Sequence, residues 1–342
     1  MEVGLLTLGD HVPDPHTGRR TSQAQRHANI LEYVHSAEPL GFDALLLGEH
    51  HFSDFIISAP HLFLAEVAAR TTRLRLATAV TLLAHHDAAH IAEDFATLDV
   101  LSQGRAEIMV GRGVEPETYA LHGQDVARSA DMLLEGLELL RLLWTQENVE
   151  WTGAFRAPLD GVTLQPRPLQ QPHPPIWVAA GSPESARQAG KNGFYIAVTP
   201  AASGLPLMGE MIEGYRKAWL AAGHAGASQV AASAHVYVGD GSEDALGYFK
   251  SYHVPFQKWV FSLRTGQDPA SLELPAHTQD FTSPDAVPMA GDASYVTERC
   301  LAWKERFALD RLIVQLDHAG QPWEKVMPSL RRFSEHVLPK LR

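Results

Sequence analysis

Eight times along the chain a short apolar run gives way to a polar loop and then to an amphipathic stretch, and this alternation leaves few folds open. The apolar runs lie at residues 3–8, 44–48, 74–81, 106–111, 176–180, 194–198, 230–238 and 311–316. They are short and nearly continuous in hydrophobicity, as strands buried on both faces must be. Helical periodicity fills the gaps at 23–40, 60–70, 90–101, 129–144, 183–191, 208–222, 292–307 and 323–337. The first of these has Thr21 or Ser22 as N-cap and stops at Gly41, a residue that tolerates the left-handed C′ conformation. In 129–144, Leu133, Leu137, Leu140 and Trp144 recur at helical spacing. Strand and helix alternating eight times predict an α/β chain folded as a closed (β/α)8 TIM barrel. The rival, a doubly wound open sheet, usually shows a glycine-rich turn after its first strand, and Gly9-Asp10-His11 is not one. The reading is a single domain over 1–342 with insertions at about 147–175 and 266–291. The first insertion is rich in proline and aromatics and reads as an ordered excursion with a hairpin. The second has little periodicity and reads as a lid or mobile segment.

Charge narrows the partners. Twenty-eight basic against 40 acidic residues give a net charge of −12, and no Lys/Arg run compensates. Such a surface repels phosphate backbones and anionic membranes, so neither nucleic acid nor membrane is an expected partner. The single cysteine, Cys300, leaves no internal disulfide and no cysteine-based metal site. No apolar run approaches the roughly 20 residues of a membrane span, and no basic-then-apolar leader is visible, so the cytoplasm is the expected location.

In a barrel the reactive face is built from the loops that follow the strands. Four consecutive loops are rich in reactive side chains. They carry Glu49-His50-His51-Phe52, then Thr78, Thr81 and His85-His86-Asp87, then Gly111-Arg112-Gly113, then Gly181-Ser182-Pro183-Glu184-Ser185. His50 and His51 are adjacent, so at most one faces the barrel axis. That one is either a general acid/base or a structural histidine bonded to backbone. Glu49, His50, His85, His86 and His90 include metal-ligand types, but no histidine or carboxylate directly follows strands five and six, and no metal is expected. Ser182 fits an N-cap and Pro183 the first helical position. The free N–H groups of that helix start, with the Ser182 and Ser185 hydroxyls, suit an anion as well as simple capping. Arg112, between two glycines, suits either bidentate phosphate binding or a rim ion pair.

Taken in order, several segments resemble the bacterial luciferase-like flavin monooxygenases. They are Gly41-Phe42-Asp43 leading to Gly48-Glu49-His50-His51-Phe52; Leu76-Ala77-Thr78-Ala79-Val80; Asp99-Val100-Leu101-Ser102-Gln103-Gly104-Arg105 with Gly111-Arg112-Gly113; and Pro174-Pro175-Ile176-Trp177-Val178-Ala179-Ala180-Gly181-Ser182. The likeness covers roughly residues 1–200 well, and the C-terminal third only in layout. It implies an enzyme that binds reduced FMN, adds O2 to form a flavin C4a-peroxide and oxygenates a small, mainly apolar organic substrate. By position it implies His50 as the catalytic histidine. Glu49, Ala79, Val80, Arg112, Val114, Gly181, Ser182 and Ser185 would contact cofactor, with a non-prolyl cis peptide at Ala79-Val80. It further implies reduced flavin supplied by a separate NAD(P)H:flavin reductase, and a homodimer through the helices after strands two and three, where Leu62, Leu64, Val67, Phe95, Leu98 and Val100 supply apolar surface. Luciferase has a reactive cysteine where this chain has Gly111. Three other readings are an F420-dependent hydride-transfer oxidoreductase of the same fold, a metal-dependent TIM-barrel hydrolase and a flavin-binding protein without catalysis.

Overall fold

A computed structural model describes residues 1–113, 115–241 and 244–342, with Ala202 described by its backbone alone. The eight expected strands form, as β1 (Glu2–Thr7), β2 (Ala44–Leu47), β3 (Arg75–Thr78), β4 (Ala106–Gly111), β5 (Ile176–Ala180), β6 (Tyr195–Val198), β7 (Val230–Val238) and β8 (Arg311–Gln315). Each pairs in parallel with the next, and β8 returns to β1, with Glu2 opposite Arg311 and Leu6 opposite Gln315. The sheet is a closed barrel.

Side chains alternate across the barrel wall, as the two-residue strand period requires. Leu5, Leu45, Leu76, Ile108, Val178, Ile196 and Val314 point outward into the layer of helices. Leu6, Leu46, Ala77, Met109, Trp177, Ala197, Ala231 and Ile313 fill the interior. The amino-terminal end is closed by charge. Arg311 Nη1 lies 2.6 Å from Glu107 Oε2, Arg75 Nε lies 2.7 Å from Glu107 Oε1, and Trp177 Nε1 donates to Glu107 at 3.0 Å. Burial would raise the Glu107 carboxyl, but the two guanidiniums outweigh it and hold it down at about 2.

Local signals set the helices. Ser22 Oγ accepts from Gln25 N–H at 3.2 Å and opens Gln23–Ser36. The chain continues through tight turns to Gly41, at φ +89°, so the helix proper stops short of the expected Leu40. The helix expected from Met208 runs over Pro200–Ala222, kinked at Gly204 (φ +71°) just before Pro206. Ala245–Thr265, a 21-residue helix, lies where no element was expected; Asp244 caps it by accepting from Gly247 N–H at 2.8 Å. The 147–175 segment carries an antiparallel hairpin, Val149–Trp151 with Leu159–Val162. The 266–291 segment contributes a short strand, Met289–Gly291, which pairs with Val236–Val238.

Of the apolar residues expected on an outer face, Leu64, Val67, Phe95 and Leu98 are buried against the barrel, while Leu62 and Val100 are exposed together with Leu101. Among the described residues no helix is long and apolar enough to cross a membrane.

Candidate active site

The carboxyl-terminal mouth of the barrel is divided in character. On the β2–β5 side the residues at the strand ends are small: Gly48, Ala79, Gly111, Ala179 and Gly181. Two of them have no room for more. A Cβ on Gly111 would lie 2.8 Å from Val80 Cγ2, and one on Gly48 would lie 2.6 Å from Leu8 Cδ2. On the β6–β8 side the ends are polar: Thr199, Ser233, His235 and Gln315. Ser233 Oγ donates to Thr199 Oγ1 at 3.1 Å. Between the two sides lies a cavity of about 130 Å³ lined by Leu8, Ala79, Val80, Ala179, Thr199, Ser233, His235 and Gln315 among others. The Ala79-Val80 peptide is cis. Thr78 braces the segment from below, its hydroxyl donating to Met109 C=O at 3.0 Å and accepting from Thr81 Oγ1 at 3.0 Å.

Beside this chamber is a second cavity of about 420 Å³, and Ala179 lines both. It gathers Arg112, Gly181, Ser182 and Ser185, with Leu133, Leu137 and Phe194 as its apolar wall and Glu184 at its rim. Ser182 caps Pro183–Asn192: its Oγ accepts from Ser185 N–H at 3.2 Å, and Ser185 Oγ accepts from Ser182 N–H at 3.1 Å. Capping and access to a ligand are both present, since Ser182 is exposed and Ser185 half-buried on the cavity. Arg112 lies on the same cavity with only Ser129 Oγ nearby, 3.4 Å from Nη1. Among the described residues it forms no ion pair. Its carbonyl accepts from the Tyr119 hydroxyl, which fixes the loop. A Cβ on Gly181 would meet nothing within 4 Å, which leaves the backbone open to a ligand.

The histidines separate as adjacency requires. His50 stacks on Phe55 at 3.9 Å, and its Nδ1 lies 3.7 Å from Glu115 Oε1. Burial would raise the Glu115 carboxyl, but the neighbouring His50 outweighs it and lowers it. His51 turns the other way, to Glu49. The Glu49 Oε1 accepts from His51 Nε2 at 2.7 Å and His86 Nε2 at 2.5 Å, while Oε2 accepts from Leu82 N–H at 3.1 Å. Burial opposes the charge on Glu49, yet these bonds bring its carboxyl down to about 2. Burial also opposes charge on His86, and Glu49 more than offsets it, raising the imidazole. Of the metal-ligand types flagged by sequence, only Glu49 and His86 come together, joined by His51, with ligand atoms within 4.8 Å of one another. His85 bonds Gln124 instead, at 2.6 Å. Neither Glu49 nor His50 lines either cavity; His50 stacks on the aromatic cluster that holds Phe55, Phe256 and Trp259. Val114 falls outside the described residues.

Thr199, Ser233, His235 and Gln315 were not singled out by sequence, although a signal existed. Stepping inward by two along β7 and β8 passes through Ala231, Ser233 and His235, and through Arg311, Ile313 and Gln315.

This constellation sits on a closed parallel barrel whose reactive loops all open at one end. The chain belongs to the luciferase-like monooxygenases: the family model matches residues 1–310. It is 28% identical to the oxygenase component of a flavin-dependent trigonelline monooxygenase of Acinetobacter baylyi, over 99% of this chain and 95% of that protein. Among solved structures it is similar to the oxygenating constituent of 3,6-diketocamphane monooxygenase of Pseudomonas putida, a type II Baeyer-Villiger monooxygenase in complex with FMN. There the TM-score is 0.79 and the identity 25%, with 100% of this chain and 99% of that chain covered. A partial likeness leads elsewhere: 32% identity to an F420-dependent glucose-6-phosphate dehydrogenase of Amycolatopsis mediterranei, over 48% of this chain and 51% of that protein.

Proposed function

We propose that this chain is the oxygenase of a two-component system that uses reduced FMN and O2 to oxygenate a small, mainly apolar organic compound. The observation that carries the reading is Arg112, unpaired with any described carboxylate, on one cavity with Gly181, Ser182 and Ser185 and joined through Ala179 to a chamber floored by small residues. The groups fit a single phosphomonoester: one guanidinium, two hydroxyls and the start of a ten-residue helix. Ala79 and Val80 would pack under a planar ring, and Gly48 and Gly111 keep that floor flat. Reduced FMN, when bound, supplies the electrons that activate O2 for transfer of one oxygen atom. His50, with Glu115 Oε1 3.7 Å from its Nδ1, would hold and give the proton the reaction needs. Glu49 acts at one remove, fixing the loop that carries His50 through His51 and His86. The apolar wall of Leu133, Leu137 and Phe194 would help exclude water from the bound ring.

F420 is the alternative cofactor, and its F420-dependent relative keeps it in view. Among the described residues Arg112 is the single cation lining the larger cavity, with Glu184 at its edge, which suits one phosphate better than a polyanionic tail. The reading includes a reductase partner that delivers the flavin and a homodimer through the exposed Leu62, Val100 and Leu101. Titration with FMN in both redox states, followed by flavin fluorescence and calorimetry, tests it. Association expected for reduced FMN, and absent for F420, would uphold it; no association of FMN in either state would overturn it.

A further inference from the structure

Gln315 ends β8 with its side chain in the smaller cavity, and it is 1% exposed. Neither its amide nitrogen nor its amide oxygen has a hydrogen-bond partner among the described residues. Leaving both halves of a buried amide unmet is costly, so such a side chain marks a place where something else completes the bonds. Its neighbour in register on β7 is His235, whose ring lines the same cavity. His235 is packed against His318 at 4.5 Å and His253 at 5.0 Å. Burial holds the His235 imidazole down at about 4, so it is neutral near pH 7 and adds no charge to the pair. Close by, Ser233 Oγ donates to Thr199 Oγ1, while both buried amide atoms of Gln315 are left without a partner among the described residues. A primary amide offers one acceptor and one donor side by side. Its complement is an edge with a carbonyl and an N–H in the same cis arrangement.

We propose that Gln315, walled by His235, receives the neutral cis-amide edge of a cyclic ligand, of the lactam, imide or pyrimidinone class. Two molecules bring that chemistry to the chamber: a reactant that carries a cyclic amide, or the pyrimidine edge of the flavin itself. The inference deepens the reading above and rests on it for the flavin source, whereas the reactant source stands on the cavity alone. It also refines the substrate class, since an apolar body would enter with one polar edge.

The test uses the full chain, with wild type compared with Gln315→Leu and Gln315→Glu, each checked for cooperative thermal unfolding. Binding of 2-piperidone, cyclohexanone and methylcyclohexane is measured by saturation-transfer NMR, and binding of FMN and N3-methyl-FMN by fluorescence. For a reactant edge, 2-piperidone binds the wild type about tenfold or more tightly than cyclohexanone, and both variants lose that preference. For the flavin edge, N3-methylation weakens binding to the wild type by a similar factor and leaves Gln315→Leu unaffected. If the variants treat every probe as the wild type does, Gln315 recognises no such edge. Failure of FMN to bind at all, with the lactam preference intact, would sink the cofactor assignment and leave this inference standing.

Discussion

Replacing Arg112 by alanine isolates the phosphate contact from everything else the site does. The guanidinium is exposed and has a single long hydrogen bond, 3.4 Å to Ser129 Oγ, with no ion pair among the described residues. Its loss should therefore leave folding nearly untouched, within about 0.5 kcal/mol. Against a bound phosphate it would make charge-assisted hydrogen bonds, about 1.5–3 kcal/mol in general, with solvent screening placing this exposed group at the lower end. The expected result is about tenfold weaker FMN binding. Riboflavin, which lacks the phosphate, is the decisive control: its affinity should be the same for wild type and Arg112→Ala. The FMN affinity of the wild type should also fall with added salt more steeply than that of the variant. Fluorescence titrations at two salt concentrations read all four quantities. Equal losses for riboflavin and FMN, or no loss for either, would refute the assignment of Arg112 to the phosphate.

His50→Ala should retain FMN binding while diverting oxygen to H2O2, so the product formed per O2 consumed falls; an unchanged ratio removes His50 from the chemistry. For Glu49 the folded carboxyl is depressed to about 2 from an ordinary 4.5, so its contribution is fully present above pH 4.5 and disappears as the pH falls towards 2. Glu49→Gln should lower stability at pH 7 by roughly 2–3 kcal/mol and flatten the acid limb of the unfolding curve, as chemical denaturation at several pH values would record. His86 has the opposite sign: its raised imidazole stabilises below pH 6.5, and that contribution is lost as the pH climbs through the raised value. At the other end of the barrel, Glu107→Leu would leave the buried Arg311 with the more exposed Glu2 carboxylate, 2.6 Å away, and would cost about 3 kcal/mol, visible as a lower denaturation midpoint with FMN affinity preserved in the folded fraction.

Much of this architecture was legible in the residues. The eight apolar runs became the eight barrel strands because a strand buried on both faces leaves an unbroken apolar signature. Ser182 and Pro183 announced a helix start, and that start is where the larger cavity opens. The helix Ala245–Thr265 escaped because Pro255 interrupts it. Even so, Asp244 followed by Ala245, Phe249, Tyr252 and Phe256 carried both a cap and a buried stripe. His235 and Gln315 escaped for a different reason. Each lies within a run read as apolar, and only the closed barrel decides which side of a strand is the inside. The pairing of His51 and His86 through Glu49 was likewise invisible, since it depends on two loops 35 residues apart meeting at one carboxylate.

The split mouth of the barrel has a consequence for how such a chain changes over time. Within the small-residue half, Gly48 and Gly111 are confined by Leu8 and Val80, so an added carbon at either collides with a neighbour, while Gly181 is open. The polar half consists of four side chains, three on two strands and one just after a third, of which Ser233 and Thr199 bond each other and His235 packs against His253 and His318. If the cofactor sits against Ala79 and Val80 as proposed, exchanging Thr199 or Ser233 should change which compound is recognised more than how the cofactor is held. On that reading most of the ring divides into an arc for the catalyst and an arc for selectivity, with Gln315 the point where the two meet if it takes the flavin edge.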